Sequence, residues 1–392
     1  MKQYKKQFLT GVIILLLLII SCRKPTAPSD HDTGILWTKT YGGAYDDYGY
    51  SVQQTSDGGY IVTGFTILSN MPTWSSGVYL IKTDASGDTL WTKTYSGVEK
   101  SIGYSVQQTP DGGYIITGLS AIISSLDSDL YIIKTDENGD TMWTRNYGQV
   151  HYYEAGLSIQ ETNDGGYIIA GTTDFVFPSF PGDVYLIKTD INGDTLWTRV
   201  YECGDYGACV QQTDDGGYII AGASSMSYQT NKMDVLLIKT DENGNTLWTK
   251  TYGGEKSEEG KSVKQTSDGG YIVVGTIYNT CECTYLIKTN PNGDTLWTRI
   301  YDGGTGYSVL QTSDGGYIIA GKTKLNSTSG NDIMILKTDS DGNILLTSTW
   351  GGANYDAGFS IIETTNGAYI IVGTTGSFGS GGYDVYLVKI RQ

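Results

Sequence analysis

The sequence is poor in the residues that most often carry acid–base and metal chemistry. It has two histidines, His31 and His151, and five cysteines in 392 residues. His31 lies near the N-terminus, so a histidine catalyst would depend on His151 alone. A single histidine cannot build a zinc site. We therefore predict no metal site and no catalytic residues. An acidic chain still permits carboxylate pairs of the kind that hydrolyse glycosidic bonds, although no such pair stands out.

Positive charge is also scarce, with 26 lysines and arginines against 42 acidic residues and a formal net charge of −16. Nucleic acid and anionic lipid are both bound through basic surfaces. The composition therefore argues against either as a direct partner. Prolines number only 7, whereas glycines number 53 and tyrosines 31, a composition typical of β-structure with many tight turns.

The N-terminus carries a conspicuous apolar run. Three lysines in the first six residues precede the almost wholly apolar stretch 8–20, which ends at Ser21-Cys22. A charged segment followed by a short apolar run is typical of a secretory signal. The run is too short for a transmembrane helix. The alternative is an ordinary secreted protein with a chance cysteine near its cleavage site.

The residues Ile19-Ile20-Ser21-Cys22 resemble the bacterial lipobox. The resemblance implies that residues 1–21 are a lipoprotein signal peptide, that Cys22 becomes the acylated N-terminus, and that residues 22–33 form a lipidated tether. It implies three acyl chains, palmitate among them, and two already suffice for stable membrane anchoring. We expect a bacterial cell-envelope protein attached to the outer membrane. Both the periplasmic side and the surface side of that membrane are compatible with the sequence.

Internal repetition dominates the rest of the chain. Each repeat contains four short β-like runs, named a to d here, with an Asp-Gly type turn between a and b that is typical of a tight hairpin. Four strands per repeat indicate one propeller blade. A Gly-Gly-Tyr segment or a close variant marks seven repeats at a mean spacing of about 51 residues. Its tyrosines are Tyr60, Tyr114, Tyr167, Tyr218, Tyr271, Tyr317 and Tyr369.

The two ends of the chain predict how the repeats close. Residues 35–41 form a lone d run before the first complete repeat, and the last repeat stops after its c run at 386–390. Joining these ends completes one blade and removes an exposed sheet edge. For residues 34–392 we predict an all-β fold, a seven-bladed β-propeller with four antiparallel strands per blade and a last blade closed by the N-terminal strand. Six or eight blades, or an open array, are the alternatives.

The c–d turn carries a family resemblance. The pattern Asp-x-Asn-Gly-Asp-Thr-x-Trp at 136–143 and 190–197 resembles the tryptophan-docking repeat of quinoprotein-type propellers, which also appears in the propeller lipoprotein of the outer-membrane β-barrel assembly machinery. The whole of 34–392 is similar to exported propeller-repeat proteins of environmental bacteria. This resemblance implies fold and location without an agreed activity. It implies no pyrroloquinoline quinone site, because the chain has no vicinal cysteine pair. The lysine repeated in every c run, such as Lys82, is interpreted as a partner of a turn aspartate.

The connections between strands predict where a partner binds. The a–b and c–d turns are short and nearly identical, whereas the b–c and d–a connections vary. Binding sites usually lie on variable loops of a rigid scaffold, and aromatic rings beside acids suit sugars, cations or a protein partner. The candidate binding residues are Tyr48, Trp74, His151, Tyr152, Phe175, Phe177 and Tyr228, with the acids Asp47, Glu154, Asp205 and Asp356.

Each of these groups has a structural alternative. The loop aromatics can fold back as local caps over the blades, and the acids can hydrogen-bond to neighbouring backbone. Even numbers of cysteines in exported proteins permit disulfides. Besides Cys22, the four cysteines are Cys203, Cys209, Cys281 and Cys283, enough for two disulfides.

These observations together favour a monomeric, non-catalytic, lipid-anchored envelope protein without a cofactor. We expect one propeller face to bind a protein, peptide or glycan. The alternatives are a scaffold subunit of an outer-membrane assembly complex and a propeller enzyme that acts on polysaccharide. Analogy of fold is weak support for any of them, so the choice depends on the site.

Overall fold

Strands and tight turns make up the described part of the chain. The computed structural model describes residues 34–392 except 70–74, 97–98, 123–126, 149–151, 176–181, 226–231, 279–281 and 324–329. These residues form 28 β-strands and no helix, so the all-β prediction is confirmed. Within the same ranges, no helix is long and apolar enough to cross a membrane.

The strands form seven antiparallel meanders of four strands, called units 1 to 7, with strands a to d in each. Strand β1 (Ile35–Tyr41) precedes unit 1, which is β2 (Asp47–Gln54), β3 (Tyr60–Ser69), β4 (Ser75–Thr83) and β5 (Thr89–Tyr95). Unit 2 is β6 (Lys100–Gln108), β7 (Tyr114–Ile122), β8 (Asp127–Thr135) and β9 (Thr141–Tyr147). Unit 3 is β10 (Tyr153–Glu161), β11 (Tyr167–Phe175), β12 (Asp183–Thr189) and β13 (Thr195–Tyr201).

The remaining units repeat this order. Unit 4 is β14 (Tyr206–Gln212), β15 (Tyr218–Ser225), β16 (Met233–Thr240) and β17 (Thr246–Tyr252). Unit 5 is β18 (Ser257–Gln265), β19 (Tyr271–Tyr278), β20 (Glu282–Thr289) and β21 (Thr295–Asp302). Unit 6 is β22 (Gly304–Gln311), β23 (Tyr317–Thr323), β24 (Asp332–Thr338) and β25 (Ile344–Trp350). Unit 7 has β26 (Asp356–Glu363), β27 (Tyr369–Thr375) and β28 (Asp384–Ile390) as its a, b and c strands.

The N-terminal strand supplies the d strand of unit 7. Strand β1 pairs antiparallel with β28, from Ile35 opposite Ile390 to Tyr41 opposite Val385. Units 4 to 7 are four-stranded sheets, while units 1 to 3 join into one sheet of twelve strands. The links between these three units are single parallel bridges, from β4 to β6 and from β8 to β10. In every unit the a–b and c–d turns lie at one end, the turn side, and the b–c and d–a connections at the other, the connection side.

Neighbouring units touch through their a strands. Each a strand contacts the a strand of the next unit, and β26 contacts β2. Ser51 Oγ accepts a hydrogen bond from the Val106 amide at 3.3 Å, which links units 1 and 2. Across the two ends of the series, Gln54 Oε1 accepts a hydrogen bond from the Thr365 amide at 2.8 Å. Unit 7 therefore joins unit 1 by the same kind of bond that joins consecutive units.

The hydrophobic core lies between units and crosses the same junction. Tyr60, Val62 and Ile81 of unit 1 pack with Val372 and Leu387 of unit 7, and all five side chains are at most 1% exposed. Burial of this apolar area is the main favourable term in folding. The contact between the first and the last unit is therefore part of the core.

A tryptophan of nearly every d strand packs on the following unit. The ring of Trp37 in β1 lies 6.0 Å from the ring of Tyr60, centroid to centroid. A Cβ on Gly87, in the c–d turn of unit 1, would lie 2.9 Å from the Trp37 ring, and the Tyr41 hydroxyl donates to Gly87 O at 2.6 Å. The turn glycine thus makes room for the ring. The tryptophan–tyrosine contact recurs for Trp91, Trp143, Trp197, Trp248 and Trp297.

The sixth unit departs from this pattern at Leu346, which is 52% exposed. Its d strand faces unit 7, whose c strand β28 and d strand β1 are not consecutive in sequence, so no c–d turn joins them. The Arg391 amide instead donates to Gly34 O at 2.8 Å across the gap. Because no turn glycine is present to receive a ring, a tryptophan at 346 would have no docking place.

A lysine, buried in units 1 to 5 and half-buried in unit 6, ties each of the first six c strands to the a–b turn. Lys82 Nζ donates to Asp57 Oδ2 at 2.7 Å and to Thr83 O at 2.9 Å. Partial burial raises the pKa of Asp57, but hydrogen bonds from Lys82, Thr55 and the Gly59 amide outweigh it and lower this pKa to about 2. The interpretation of the repeated lysine as a partner of a turn aspartate therefore holds for six units, whereas Lys389 of unit 7 donates to the Tyr60 hydroxyl at 3.0 Å. The equivalent pairs are Lys134–Asp111, Lys188–Asp164, Lys239–Asp215, Lys288–Asp268 and Lys337–Asp314.

Candidate functional site

Every a strand contains a β-bulge at the same place. In unit 1, Gly49 lies opposite Gly64 and Ser51 opposite Thr63, so Tyr50 is the extra residue. A bulge redirects the side chain of its extra residue and often lies near functional sites. Its regular position follows the repeated glycine of strand a. The seven bulge residues are Tyr50, Tyr104, Leu157, Ala208, Lys261, Tyr307 and Phe359.

Four bulge residues in consecutive units are aromatic and contact one another. Ring centroids are 5.1 Å apart for Tyr307 and Phe359, 5.4 Å for Phe359 and Tyr50, and 5.4 Å for Tyr50 and Tyr104. Burial raises the pKa of the Tyr50 and Tyr104 hydroxyls, so both stay protonated at neutral pH. The redirected rings therefore form a packed tier where the a strands meet.

A second group of rings continues from this tier towards the connection side. Tyr48 is stacked on Phe65 at 4.7 Å with an angle of 10° between the planes, and it lies 5.4 Å from Tyr383. Tyr383 contacts Tyr355 edge-on at 5.9 Å, while Phe65 reaches Tyr50 at 6.0 Å. We call the connected rings the aromatic network. Its members are Tyr48, Tyr50, Phe65, Tyr104, Tyr307, Tyr355, Phe359 and Tyr383.

Two ion pairs adjoin the network in units 4 to 6, and we call them the ion-pair cluster. In the first pair, Lys261 Nζ donates to Glu259 Oε2 and, at 3.1 Å, to the Tyr206 hydroxyl. The Tyr278 hydroxyl donates to the same Glu259 oxygen at 3.0 Å.

The second ion pair reaches the aromatic network directly. Lys322 Nζ lies 3.2 Å from Glu282 Oε2 and 5.9 Å from the centre of the Tyr355 ring. The Thr305 hydroxyl donates to Glu282 Oε2 at 2.7 Å. Rings and paired charges therefore meet on the connection side.

The predicted acids Asp47 and Asp356 are buried, at 3% and 0% exposed. Asp47 Oδ2 accepts a hydrogen bond from the Gly43 amide at 2.8 Å. Asp356 Oδ2 accepts from the Gly352 amide at 2.8 Å and from Ser377 Oγ at 2.7 Å. The structure corrects their interpretation as surface groups, because they hold the backbone of the d–a connections.

Glu154 and Asp205 occupy the equivalent place in units 3 and 4. Glu154 is 1% exposed and accepts from Thr173 Oγ1 at 3.3 Å, so it is corrected in the same way. Asp205 is half-buried and accepts from Ser225 Oγ at 2.8 Å. Burial raises the pKa of Asp205, against the Ser225 hydrogen bonds that lower it. A hydroxyl of the adjacent b strand is thus their shared partner.

Several of these acids have a second carboxylate nearby, and a glycine lies next to both carboxylates. A Cβ on Gly42 would lie 2.1 Å from Asp384 Oδ1 and 2.6 Å from Asp47 Oδ2. Burial, and then the charge of Asp47, raise the pKa of Asp384. Such like-charged neighbours favour the protonated form. Gly253 stands between Asp234 and Glu258, and Gly351 between Asp332 and Asp356, in the same way.

The other predicted site residues are distributed as follows. Tyr48 belongs to the aromatic network. Tyr152 is half-buried just before β10, and its carbonyl accepts from the Ser128 amide at 3.3 Å. Phe175 is the last residue of β11. Predicted residues outside the described ranges are Cys22, Trp74, His151, Phe177, Tyr228 and Cys281.

The cysteines and acids give little sign of further chemistry. Cys203 and Cys209 are free thiols in the structure, so no disulfide joins these two. Cys283 Sγ lies 3.5 Å from Asp302 Oδ1. In the part of the chain that the structure describes, no group of three or more His, Cys, Asp or Glu side chains is arranged to hold a metal ion.

Two open clefts lie away from the aromatic network, in units 2 and 3. The first has a volume of about 480 Å³, and residues of all three outer strands of unit 2 line it, including Asp127, Asp129, Tyr131 and Asn146. The second, of about 450 Å³, lies beyond Asn146 towards Tyr185 of unit 3. The first cleft is lined by unit 2 alone, whereas residues of units 2 and 3 line the second.

Sequence reasoning missed half of the aromatic network. The tyrosines near the acids include Tyr48, Tyr104, Tyr307 and Tyr355. Sequence reasoning did not select Tyr50, Phe65, Phe359 or Tyr383. The repeated glycine one residue before Tyr50 and Phe359 was the available signal, because glycine inside a strand often marks a bulge. The b and c strand members, Phe65 and Tyr383, join the network only through packing.

Comparison with known proteins gives fold but no family. No protein-family model and no curated protein matches the chain. A protein of unknown function from Dyadobacter fermentans DSM 18053 has a TM-score of 0.53 at 11% identity, over 91% of this chain and 99% of that chain. A puromycin hydrolase has a TM-score of 0.53 at 13% identity, over 87% of this chain and 52% of that chain. BBS1N in complex with ARL6DN has a TM-score of 0.51 at 9% identity, over 91% and 96%.

At such low identity these likenesses show the fold alone, a propeller-like repeated strand fold. One of the three is a protein of unknown function and one a hydrolase, so they do not agree on an activity. The function of this chain has to be argued from its own side chains.

Proposed function

We propose that the chain is a lipid-anchored bacterial envelope protein, a seven-bladed β-propeller that binds a partner on its connection side without catalysing a reaction. The observation that carries the binding function is the aromatic network, which meets the ion-pair cluster on that side. Aromatic rings supply large apolar area at small conformational cost, and their hydroxyls add polar contacts.

Several contacts support a closed ring. The a strands touch in series from unit 1 to unit 7, and β26 returns to β2. The docking of Trp37 on unit 1 repeats, at this junction, the contact made between other units. A core cluster shared by the first and last units points the same way. Closure leaves no unpaired sheet edge at the ends of the series.

The lipid anchor is supported by the sequence alone. Cys22 precedes the first described residue, Gly34, by twelve positions, a tether of at most about 40 Å when fully extended. Globomycin, which blocks the lipoprotein signal peptidase, should cause the unprocessed precursor to accumulate, visible as slower gel migration. Processing that continues unchanged in its presence would remove the anchor from the proposal.

Binding is favoured over catalysis because the connection-side acids are already engaged. Asp47 and Asp356 bind connection backbone, while Glu259 and Glu282 are paired with lysines. A glycosidase needs one carboxyl group to give up a proton and a second to act on the sugar from the other side. Carboxylates held in these local contacts lack that freedom.

Pull-down from the native envelope tests the binding surface. The full-length protein should capture a partner, and the double variant Tyr48→Ala/Tyr383→Ala should lose it while keeping its thermal midpoint within a few degrees. The matched control is Asn138→Ala/Asn192→Ala, two exposed turn-side changes, which should leave capture unchanged. Equal loss in both variants, or in neither, would contradict a connection-side site.

A further inference from the structure

We infer that the partner of the connection side is a neutral glycan, bound across the aromatic network and the ion-pair cluster. The inference rests on the proposed binding function and narrows its ligand class. It follows from the charges on that side, from the lysines that already occupy ring faces, and from the hydroxyl and carboxylate groups beside the rings. Each of these observations removes another class of ligand.

Anionic ligands are disfavoured by charge. The whole chain has a formal net charge of −16, and the ion-pair cluster contributes two lysines against two glutamates. Lys261 is already bound to Glu259 and Tyr206, and Lys322 to Glu282. Neither ammonium group is therefore left as an unpaired attraction for a phosphate, sulfate or carboxylate. Acidic polysaccharides and nucleic acids fit this surface poorly.

Cationic ligands are disfavoured because the chain's own lysines occupy the ring faces nearest the acids. Lys261 Nζ lies 5.5 Å from the centre of the Tyr206 ring, and Lys322 Nζ lies 5.9 Å from that of Tyr355. These are distances of cation–π contact. Glu259 accepts a second hydrogen bond, from the Tyr278 hydroxyl. A ligand cation would have to displace a lysine from both a ring and a carboxylate.

The remaining choice is between a neutral polyhydroxyl chain and a peptide. Tyr48 and Phe65 cover each other's faces in a parallel stack, and Tyr383 leans on Tyr48 at 40°. Side-chain anchors of peptides are usually buried in pockets, whereas half-buried rings that carry hydroxyl groups at their edges match the apolar faces and the hydroxyl groups of a sugar chain. Burial raises the pKa of the Tyr355 hydroxyl to about 12, so it remains a neutral donor and acceptor.

Asp46 adds an acceptor beside Tyr48. It is half-buried and its Oδ1 accepts from the Tyr383 amide at 2.9 Å, which leaves Oδ2 for a hydroxyl donor. Carboxylate acceptors next to rings suit sugars, because each sugar hydroxyl needs an acceptor once it leaves water. Rings, Asp46 and the ion-pair cluster together supply stacking, acceptors and donors without a large net charge.

Calorimetric titration of the full-length protein in mild detergent tests the inference. The probes are cellohexaose, laminarihexaose, xylohexaose and mannohexaose, with oligogalacturonate as the acidic comparison. We expect at least one neutral probe to bind and the acidic probe not to. Tyr48→Ala should weaken that binding about tenfold, the loss of one stacked ring, whereas Tyr48→Phe, which keeps the ring, should stay within about threefold.

Three controls make the result decisive. Asn192→Ala, exposed on the turn side, should leave the dissociation constant unchanged, and Lys261→Met should weaken binding by disrupting the ion-pair cluster. All variants must keep the wild-type thermal midpoint within a few degrees. If Tyr48→Ala lowers the thermal midpoint by more than this, Tyr383→Ala and Lys261→Met replace it in the test, because Tyr383 and Lys261 belong to other units.

The outcomes separate the ligand class from the binding function. Binding of a neutral glycan that falls in Tyr48→Ala supports the inference. Failure of all neutral probes, combined with envelope capture that depends on Tyr48 and Tyr383, overturns the glycan and keeps the binding site, with a peptide or protein as its occupant. Glycan binding that is unchanged in the ring and lysine variants overturns the proposed site as well.

Discussion

On the turn side, aspartates face lysines, whereas the carboxylates of the d–a connections face backbone, hydroxyls and one another. Hydrogen bonds from Lys288 and Thr266 outweigh partial burial and lower the pKa of Asp268 to about 2. Burial raises the pKa of Asp47, against hydrogen bonds from Thr66 and Gly43 that lower it. The turn-side aspartate is therefore stabilised in its charged form, whereas Asp47 on the connection side is stabilised in its protonated form.

The difference matches the division of labour proposed for the two sides. Turn-side contacts recur with small variation from unit to unit, so they hold neighbouring units together and carry no information about a ligand. Connection-side contacts differ among units, as in the lysine at 261 where four other units have rings. A site that must recognise one partner needs such asymmetry, and proteins commonly tolerate local strain where a function is built.

The largest expected effect concerns the turn-side contact of Trp37. Removal of residues 34–41 would uncover the edge of β28 and part of the core shared by units 1 and 7. We therefore expect the shortened protein to aggregate and to lose its cooperative unfolding transition. Trp37→Ala alone should lower the free energy of unfolding by about 2 to 3 kcal/mol, below the range for a fully buried tryptophan because Trp37 is half-buried. Thermal and chemical unfolding measure both changes.

Leu346 supplies the matched control for Trp37. It occupies the equivalent d-strand position but is 52% exposed, with no turn glycine to receive it. Leu346→Ala should change stability by no more than about 0.5 kcal/mol. Similar losses for Trp37→Ala and Leu346→Ala would mean that docking on the next unit does not set the stability of the turn side.

The turn side was largely predictable from sequence, and particular residues show why. The repeat around Tyr60, the Asp-Gly turns and the lone run 35–41 are local patterns, and their pairing follows from the geometry of a meander. The pairing of β1 with β28 required only that two incomplete repeats be joined.

The connection side was predicted less well, because packing decides it. Alternation places Tyr48 and Tyr50 on one face of the strand, and their rings stack at 6.4 Å. The contacts that Tyr50 makes with Tyr104 and Phe359 of other units depend on packing. Asp47 and Asp356 were candidate binding residues, with hydrogen bonds to backbone as the alternative. They are buried since each connection folds over its own carboxylate, an arrangement that residue types alone do not reveal.

A smaller effect is expected where carboxylates crowd a connection-side glycine. Gly42→Ala would place a Cβ 2.1 Å from Asp384 Oδ1, so the two acids must shift, at a cost of about 1 to 3 kcal/mol. Gly43→Ala is the neighbouring control, because nothing lies within 4 Å of its added Cβ. Its thermal midpoint should stay near that of the wild type or rise slightly. Equal effects of both substitutions would contradict the crowding.

The smallest effect, and the most direct comparison of the two sides, is the pH dependence of Asp47→Asn and Asp57→Asn. The pKa of Asp47 is raised in the folded state from its ordinary value of 3.8, so the folded state holds the proton more tightly than the unfolded chain, and stability falls as pH rises above about 4. Asp47→Asn removes this penalty, and its amide can donate to Asp384. Its thermal midpoint relative to wild type should therefore be higher at pH 7 than at pH 3.

Asp57 should behave in the opposite sense. Its folded pKa of about 2 lies below the ordinary 3.8, so its ionised form stabilises the fold above pH 4, and this contribution is lost as pH falls towards 2. Asp57→Asn should therefore lower the thermal midpoint at pH 7 and lower it less at pH 3. The loss of stability at pH 7 should be under about 1 kcal/mol, because the carboxylate is more than half exposed. If both variants shifted in the same direction between pH 7 and pH 3, the two sides would not differ in how they treat charge, and the contrast between a consolidated turn side and a strained connection side would fail.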